Sequence, residues 1–276
     1  RSATLAASLP ATGEFGKFQL NFASNYGRNM WLTEPRWSYR EPGPLAFAPG
    51  QEIVVQGALG RMVAPFPGTP RLWFVQFDCD VSTLIDRYGA PIRYGYISRT
   101  FPLAAYQTLF SLYPGSAEMP SAARPFTRRV LAQLQARGVK MAGITLHTGV
   151  SSLEVESDTL DQHPMPPEPF WVPARTATAV NSARRNGRRV IAVGTTVVRA
   201  LESAWNGNEV QRVQGFTRVV IQPSRGVNVV DGLISGFHDP LASHLAMLYA
   251  IAGAGMIRCA YAEAVDQGYL WHEFGD

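Results

Sequence analysis

Apolar residues are spaced differently in the two parts of the chain, and this difference limits the folds open to it. Before about residue 92 they form short alternating or continuous runs between Pro and Gly residues, as at Phe18 to Phe22, Gln51 to Val55 and Leu72 to Phe77. Such runs are typical of short β-strands joined by turns. We therefore predict a mostly β domain over residues 1–92, without a helix longer than three turns.

After residue 92 the spacing becomes helical. Phe126, Val130 and Leu134 fall on one face of a predicted helix, and Gly138 follows where a C-terminal cap belongs. Predicted buried strands at 139–146, 189–193 and 227–234 then alternate with predicted helices from residue 174 and over 196–204, 241–252 and 255–267. This alternation favours an α/β domain with parallel strands, beginning near Pro91.

Composition excludes several kinds of site. Neither Lys17 nor Lys140 lies in the Gly-Lys-Ser/Thr sequence of a P-loop. Cys79 and Cys259 form no Cys-x-x-Cys motif, which excludes zinc ribbons and iron–sulfur clusters and fits a reducing cytoplasm. The longest nearly uninterrupted apolar stretch, Leu245 to Ile257, has 13 residues. Since a membrane span needs roughly 20 residues, we predict a buried helix there.

Arginine accounts for 23 of the 25 basic residues, and the net charge is +4. Guanidinium groups match phosphate oxygens well, although genomic codon bias would produce the same excess. The cluster Arg184 to Arg189 follows a predicted helix, where cations also complement the helix dipole without any ligand.

Polar residues beside a glycine follow three of the predicted strands. They are His147-Thr148-Gly149, Gly194-Thr195-Thr196 and Ser235-Gly236-Phe237-His238. Parallel α/β proteins bind ligands at the carboxyl ends of their strands, so these segments are the candidate site.

The segment Gly194-Thr195-Thr196 joins a predicted strand to a helix. Free backbone N–H groups and threonine hydroxyls at such a point favour a carboxylate or phosphate. The alternative is that Thr195 or Thr196 only caps the helix. Arg199 and Glu202 lie one turn further on the same side, where a surface ion pair is equally possible.

His147 and His238 are the candidate proton carriers, because each follows a predicted strand instead of lying on an apolar helix face. We predict that both face one pocket from neighbouring strand ends. The alternative is that each bonds a loop carbonyl, in which case the base would be a carboxylate such as Glu118, Glu168 or Asp231.

Two further motifs are interpreted as structural. Asp239-Pro240 predicts the N-cap and first turn of a helix on which His244 packs. Gly253-Ala254-Gly255 lacks the third glycine and the preceding strand of a dinucleotide fingerprint, so it predicts a turn between helices.

Several ordered stretches carry a family resemblance. They are Thr145 to Gly149, His163 to Met165, Arg189 to Ser203 and Val230 to Pro240, with shorter matches at Tyr106 to Thr108, Pro114 to Ser116, Pro120 to Ala122 and Gly268 to Asp276. Together they resemble the S-adenosylmethionine:tRNA ribosyltransferase-isomerase family of queuosine biosynthesis. The resemblance is strong over residues 93–276 and loose over 1–92.

This resemblance implies a barrel-like α/β domain associated with an inserted small β-barrel-like domain. Residues 1–92 would be the inserted domain and 93–276 the α/β catalytic domain, with the N-terminal part of the family domain missing. The implied reaction transfers the ribosyl part of S-adenosylmethionine to a 7-aminomethyl-7-deazaguanine base in tRNA and isomerises it to epoxyqueuosine, releasing adenine and methionine. The implied partners are tRNA and S-adenosylmethionine, with no metal, no membrane, and a monomer or weak homo-oligomer in the cytoplasm.

Carried onto this sequence, the resemblance implies His147, His238 and Arg199 as catalytic residues. The implied S-adenosylmethionine-binding residues are Gly194, Thr195, Thr196, Thr148, Gly149 and Ser121. The sulfonium acidifies the adjacent 5′-methylene, so a positioned base can start the rearrangement.

The sequence departs from the family pattern at several positions. Pro125 and Pro166 stand where histidines are expected, Gly236 where asparagine is common, and Ser151 to Leu153 where Gly-Thr-Phe is usual. Two alternatives therefore stay open: a divergent enzyme of the same fold that uses S-adenosylmethionine on a non-tRNA acceptor, and a non-catalytic binding protein. Binding of tRNA would weaken steeply with salt, whereas binding of a small acceptor would not.

Overall fold

The computed structural model describes residues 2–44, 46–93, 97, 99–150, 159–162, 164–240 and 242–270. The strands are β1 (Ser2–Thr4), β2 (Ser8–Gly13), β3 (Gly16–Asn25), β4 (Met30–Arg36), β5 (Glu52–Val55), β6 (Ala58–Phe66), β7 (Thr69–Phe77), β8 (Tyr113–Ser116), β9 (Thr145–Leu146), β10 (Glu168–Val172), β11 (Ile191–Val193), β12 (Val213–Thr217) and β13 (Gly232–Ile234). The helices are α1 (Ser82–Tyr88), α2 (Arg128–Ala136), α3 (Ala174–Arg185), α4 (Thr195–Ser203), α5 (Ser243–Ala252) and α6 (Ala254–Asp266), with 3-10 helices at Leu103–Tyr106, Ser121–Ala123 and Leu160–Gln162.

Strands β2 to β7 close into an antiparallel barrel in the order β2-β3-β4-β7-β6-β5. Apolar side chains such as Leu20, Met62 and Val75 fill its interior and are fully buried. The three strands predicted from the sequence lie within β3, β5 and β7, so they are confirmed. The seven-residue helix α1 covers about two turns and packs Ile85 into the barrel core.

Strand β1 does not join the barrel. It pairs in parallel with β8, and the side-chain amide of Gln107 bonds both backbone groups of Thr4 at 3.0 and 2.7 Å. The barrel strands therefore lie between residues 8 and 77, while residues 2–4 pair with the later part of the chain. The domain border near Pro91 stays a prediction.

The later part of the chain contains an antiparallel sheet, β12-β10-β9, and a parallel pair, β11-β13. Helix α4 packs Val198, Ala200 and Leu201 into the core between these strands. The predicted helix and strand order is observed as α3, β11, α4 and β13, with the unpredicted strand β12 between the last two, and the strand predicted at 227–234 covers only Gly232–Ile234. Strands β11 and β13 are parallel as predicted, whereas the prediction is wrong for β12-β10-β9, which is antiparallel. The mixed α/β fold class with a small closed β-barrel is thus confirmed.

The strand predicted at 139–146 is mostly wrong. Only Thr145 and Leu146 form a strand, and they pair antiparallel with β10. Val139 and Met141 are 45% and 47% exposed. The apolar run is not a buried parallel strand because β10 offers it hydrogen-bond partners only at Phe170 and Trp171.

The predicted helices are present, but the region after β13 is arranged differently. Ala242, not Asp239, is the N-cap of α5, and Leu241 lies outside the described residues. Gly253, with φ of +78°, ends α5 and begins α6, so the stretch from Leu245 to Ile257 is two helices and not one buried helix. The predicted interhelical turn is confirmed. No helix of the described chain is long and apolar enough to cross a bilayer.

Gly89 ends α1 where the backbone returns to the barrel. A Cβ at this position would lie 1.9 Å from the carbonyl oxygen of Ala6 and 2.5 Å from that of Ile85. Because backbone atoms cannot move aside as a flexible side chain can, Gly89→Ala should lower the free energy of unfolding by about 3 kcal/mol in urea denaturation. The control Gly255→Ala, in α6 with no atom within 4 Å of the new Cβ, should change it by less than about 1 kcal/mol, in the stabilising direction. Equal effects of the two changes would contradict this account.

Candidate functional site

The segment His147-Thr148-Gly149 leaves β9 and is fixed by two side chains. The Thr148 and Ser116 hydroxyls lie 2.8 Å apart, and the Thr148 N–H donates to Ser116 Oγ at 3.1 Å. The Gly149 N–H donates to Glu168 Oε1 at 2.8 Å. The segment therefore has a defined backbone position set by β8 and β10.

Glu168 and Arg199 form a buried ion pair between β10 and α4. Glu168 Oε2 accepts from Arg199 Nη1, and the two side chains are 3% and 4% exposed. Arg199 Nε also donates to the Val219 carbonyl at 3.0 Å, whereas its Nη2 has no hydrogen-bond partner among the described residues. Glu168 thus connects the segment after β9 to the helix that follows β11.

Glu202 does not pair with Arg199. Its carboxylate accepts from the N–H groups of Asn228 and Val229 at 2.7 and 2.9 Å and from Arg225 Nη1 at 3.2 Å. Arg199 and Glu202 are each 3% exposed. The surface ion pair considered from the sequence is therefore wrong, because tertiary packing gives each residue its own buried partner.

The His147 imidazole is partly buried and packs over Gly115. A Cβ on Gly115, whose φ is +141°, would lie 3.0 Å from the ring. Burial lowers the pKa of His147 from 6.5 to about 4. His147 Nδ1 has no hydrogen-bond partner among the described residues, so the alternative of a bond from this nitrogen to a loop carbonyl is not what the structure shows.

Helix α4 begins at Gly194, which is the N-cap with φ of +93° and makes no side-chain capping bond. Neither threonine caps the helix, so that alternative is wrong. The Gly194 N–H donates to the Ile234 carbonyl at 2.9 Å, which holds the carboxyl ends of β11 and β13 together. The first turn of a helix leaves backbone N–H groups for an anion.

A cavity of about 460 Å³ opens beside the end of β13. Side chains that line it are Ser121, Pro125, Ser235, Phe237, Tyr261 and Tyr269. A Cβ on Gly194 would lie 4.0 Å from the Cβ of Ala122, another lining residue, so the cavity is close to the N-terminus of α4. Its volume is within the range of small-molecule sites.

His238 follows Phe237, which lines the cavity, but it is itself buried and only 6% exposed. Its Nε2 lies 2.7 Å from Ser235 Oγ. The Tyr261 hydroxyl accepts from the His238 N–H at 2.9 Å and lies 3.1 Å from its carbonyl, and the His244 ring is 4.7 Å away. His238 is thus linked to the cavity through Ser235 and Tyr261.

His147 and His238 follow strands of different sheets, since β9 belongs to β12-β10-β9 and β13 to β11-β13. The two strands are therefore not hydrogen-bonded neighbours. Ser235, the partner of His238, lines the cavity, whereas His147 does not. A pocket shared by the two histidines stays a prediction.

Sequence reasoning missed some of these roles. Ser116 was inside a matched stretch but was not proposed for the site, and Tyr261 carried no local signal. Glu168 was considered only as an alternative base. Asp231, another such alternative, accepts from the Val190 N–H at 2.7 Å at the amino end of β13, away from the cavity.

The remaining predictions concern motif residues that are not described, the two cysteines and the absence of a metal. His163, Ser151 to Leu153 and the final stretch from Phe274 to Asp276 are not described. Cys79 and Cys259 are free and exposed. Within the described ranges, no group of three or more His, Cys, Asp or Glu side chains is placed to hold a metal ion.

Comparisons with known proteins agree on one family. The model of the family described as "Queuosine biosynthesis protein" matches residues 4–276. The S-adenosylmethionine:tRNA ribosyltransferase-isomerase of Sorangium cellulosum is 40% identical over 203 residues, which cover 71% of this chain and 54% of that protein. The proteins of the same name from Thermus thermophilus and Heliobacterium modesticaldum are 36% and 34% identical and cover 84% and 89% of this chain, and 67% and 74% of their own lengths.

A solved structure, the S-adenosylmethionine tRNA ribosyltransferase of Thermotoga maritima, is 23% identical with a TM-score of 0.48 and covers 100% of this chain and 78% of that one. The chain spans about half the length of the Sorangium cellulosum and Anaeromyxobacter dehalogenans relatives that it matches, 54% and 50% respectively.

Removing the charge of Glu168 tests the buried ion pair. Glu168→Gln keeps a hydrogen-bonding side chain but leaves the Arg199 charge buried and uncompensated, so the free energy of unfolding should fall by about 3 kcal/mol in urea denaturation. The control Glu52→Gln breaks the ion pair with Arg61, in which the two side chains are 53% and 65% exposed. The free energy of unfolding should fall by less than about 1 kcal/mol in this control. Similar losses in both variants would show that burial adds nothing to this pair.

The lowered pKa of His147 predicts a pH-dependent stability. The unfolded chain takes up a proton near pH 6.5, whereas the folded chain does so only near pH 4, so stability is lost as the pH falls through this window. Compared with His147→Gln, the native chain should lose on the order of 2 kcal/mol of unfolding free energy between pH 6.5 and 4, and nothing above about pH 7. Urea denaturation at several pH values measures this, and a constant difference between the two proteins would contradict the lowered pKa.

Proposed function

The chain belongs to the queuosine biosynthesis protein family, and on that basis we propose that it is an S-adenosylmethionine:tRNA ribosyltransferase-isomerase. It transfers the ribosyl part of S-adenosylmethionine to a 7-aminomethyl-7-deazaguanine base in tRNA and isomerises it to epoxyqueuosine. Adenine and methionine are released. One observation carries this proposal: segments that match the family lie around α4. The N-terminus of α4 lies beside a cavity of about 460 Å³.

The α4 N-terminus supports a site for the methionine end of S-adenosylmethionine. A carboxylate is favoured there because the first-turn N–H groups and the helix dipole both attract negative charge. Gly194 has no side chain and therefore allows a ligand to approach the backbone closely, and its φ of +93° is one that residues with a side chain rarely adopt. The nucleoside part extends into the cavity, where Phe237 and Tyr269 offer aromatic surface.

Proton transfer needs a neutral base near the 5′-methylene. Burial keeps the His147 imidazole neutral around pH 7, and His238 reaches the cavity through Ser235. Arg199 acts as a positioning residue in this proposal, because its guanidinium is buried against Glu168. Thr148, Gly149 and Ser121 complete the set of binding residues.

The acceptor is proposed to be tRNA because the curated relatives are all named S-adenosylmethionine:tRNA ribosyltransferase-isomerase. The alternatives are a divergent enzyme with a non-tRNA acceptor and a non-catalytic binding protein. Pro125 and Gly236, two of the departures from the family pattern, both line the cavity, so they alter the surroundings of the bound ligand. The free cysteines Cys79 and Cys259 fit a reducing cytoplasm, and we propose a monomer or weak homo-oligomer without a membrane partner.

The test is to incubate the protein with S-adenosylmethionine and tRNA that carries the 7-aminomethyl-7-deazaguanine base, and to measure adenine and methionine. Both products should appear with this tRNA and not with unmodified tRNA. Release that does not depend on tRNA would favour the divergent enzyme, and no release with intact binding of S-adenosylmethionine would favour the binding protein.

Thr196 tests where S-adenosylmethionine binds. Thr196→Ala removes the hydroxyl beside Gly194, so the affinity measured by calorimetry should fall about five- to tenfold, while Thr196→Ser should retain it. The same affinity for all three proteins would mean that the α4 N-terminus serves only the fold.

A further inference from the structure

The sheet β12-β10-β9 has one buried face. Its other face is open to solvent over β10 and β12, whereas Thr145 of β9, opposite Trp171, is only 6% exposed. Glu168, Phe170 and Val172 point into the protein and are 2%, 5% and 0% exposed. The intervening residues point outward, and the antiparallel register places Pro169 opposite Phe216 and Trp171 opposite Gln214 on the outer face.

Aromatic rings form two contacting pairs on this outer face, Tyr26 with Phe216 and Tyr113 with Trp171. Phe216 and Trp171 are 56% and 38% exposed. They occupy diagonal positions of the antiparallel pair, which are about 7–8 Å apart. Tyr113, which is 40% exposed, contacts Trp171 at a ring distance of 6.3 Å, and Tyr26 stacks on Phe216 at 5.9 Å and 11°.

The charge on this face is positive. Every second residue from Arg212 to Arg218 is exposed, so the two arginines flank Gln214 and Phe216 in the sequence. Arg218 follows Phe216 by two residues, and Phe216 forms a ring pair with Tyr26. None of the outward positions 169, 171, 212, 214, 216 and 218 carries a carboxylate.

We propose that this face, formed by Tyr26, Tyr113, Trp171, Phe216, Arg212 and Arg218, binds the unpaired nucleotides of an RNA loop. Bases stack on exposed aromatic rings whatever their identity, and arginines on either side bind the phosphates. The inference rests on the proposed function and deepens it by naming the surface that holds the acceptor RNA.

The position of the face supports this assignment. Strand β10 presents Pro169 and Trp171 outward and Glu168 inward, where the Glu168 carboxylate holds Gly149 and Arg199. The RNA-binding face and the Glu168 ion pair therefore lie on opposite sides of the same strand. The loop of a tRNA anticodon arm and the loop of any other RNA hairpin share the chemistry of unpaired bases, so the experiment measures the binding of both.

Fluorescence anisotropy of a labelled RNA hairpin with a seven-nucleotide loop, and of whole tRNA, measures binding to the full chain. Phe216→Ala and Trp171→Ala should each raise the Kd about tenfold for both RNAs, because each removes a stacking surface. The matched control is Tyr88→Ala, an exposed ring that stacks with Arg87 on α1, and its Kd should equal that of the native chain. Unchanged thermal unfolding would show that the variants are folded.

The arginines are tested by salt dependence. Arg212→Gln and Arg218→Gln should each lower the slope of log Kd against log salt concentration by about 0.7, the value for one phosphate on a single strand. Arg218→Lys should keep the slope because it keeps the charge.

The outcomes separate this proposal from the proposed function. If tRNA-dependent adenine release occurs and the aromatic variants bind RNA as the native chain does, the RNA-binding face is wrong and the function stands. If the variants lose RNA affinity but no adenine is released, the face is supported and the function fails. If the variants keep RNA affinity but change the oligomeric state in solution, the face binds protein and the proposal is overturned.

Discussion

The buried ion pair between Glu168 and Arg199 determines how the parts of the candidate site are arranged. One carboxylate oxygen holds Gly149 and the other holds Arg199, so a single side chain connects the segment after β9 with helix α4. Taking two charges out of water is costly, and such a pair adds little net stability compared with apolar packing. Its contribution is positional, because any shift of α4 relative to β10 would leave a charge without its partner.

The fold was predictable wherever the signal is local. Short apolar runs between Pro and Gly predicted strands that lie in β3, β5 and β7, and apolar spacing together with glycines at expected C-terminal caps predicted helices that correspond to α2 to α6. The run at 139–146 failed because apolar composition does not by itself supply a strand partner. Local patterns do not predict the closure of six strands into a barrel, which only the family resemblance implied, or the pairing of β1 with β8 about 110 residues away, because long-range pairing leaves no mark in a short window.

The candidate site shows the same division. Glycine followed by threonine between a strand and a helix is a local pattern, and it marked the α4 N-terminus correctly. The partners of Arg199 and Glu202 lie 31 and 23 to 27 residues away, so helix spacing alone suggested a pair that burial then prevented. The lowered pKa of His147 is likewise a property of its surroundings, since desolvation depends on residues that fold over the ring and not on its neighbours in sequence.

Alternate residues of strand β10 face the inner and the outer surface of the sheet. Glu168 faces inward to the ion pair, whereas Trp171, three residues further along the strand, faces outward among the exposed rings. Because these residues share one short backbone segment, a ligand held on the outer face is fixed relative to the carboxylate on the inner face. In the proposed function, the sheet positions a large acceptor and the helix N-terminus holds the small cosubstrate, so the two ligands do not compete for the same side chains.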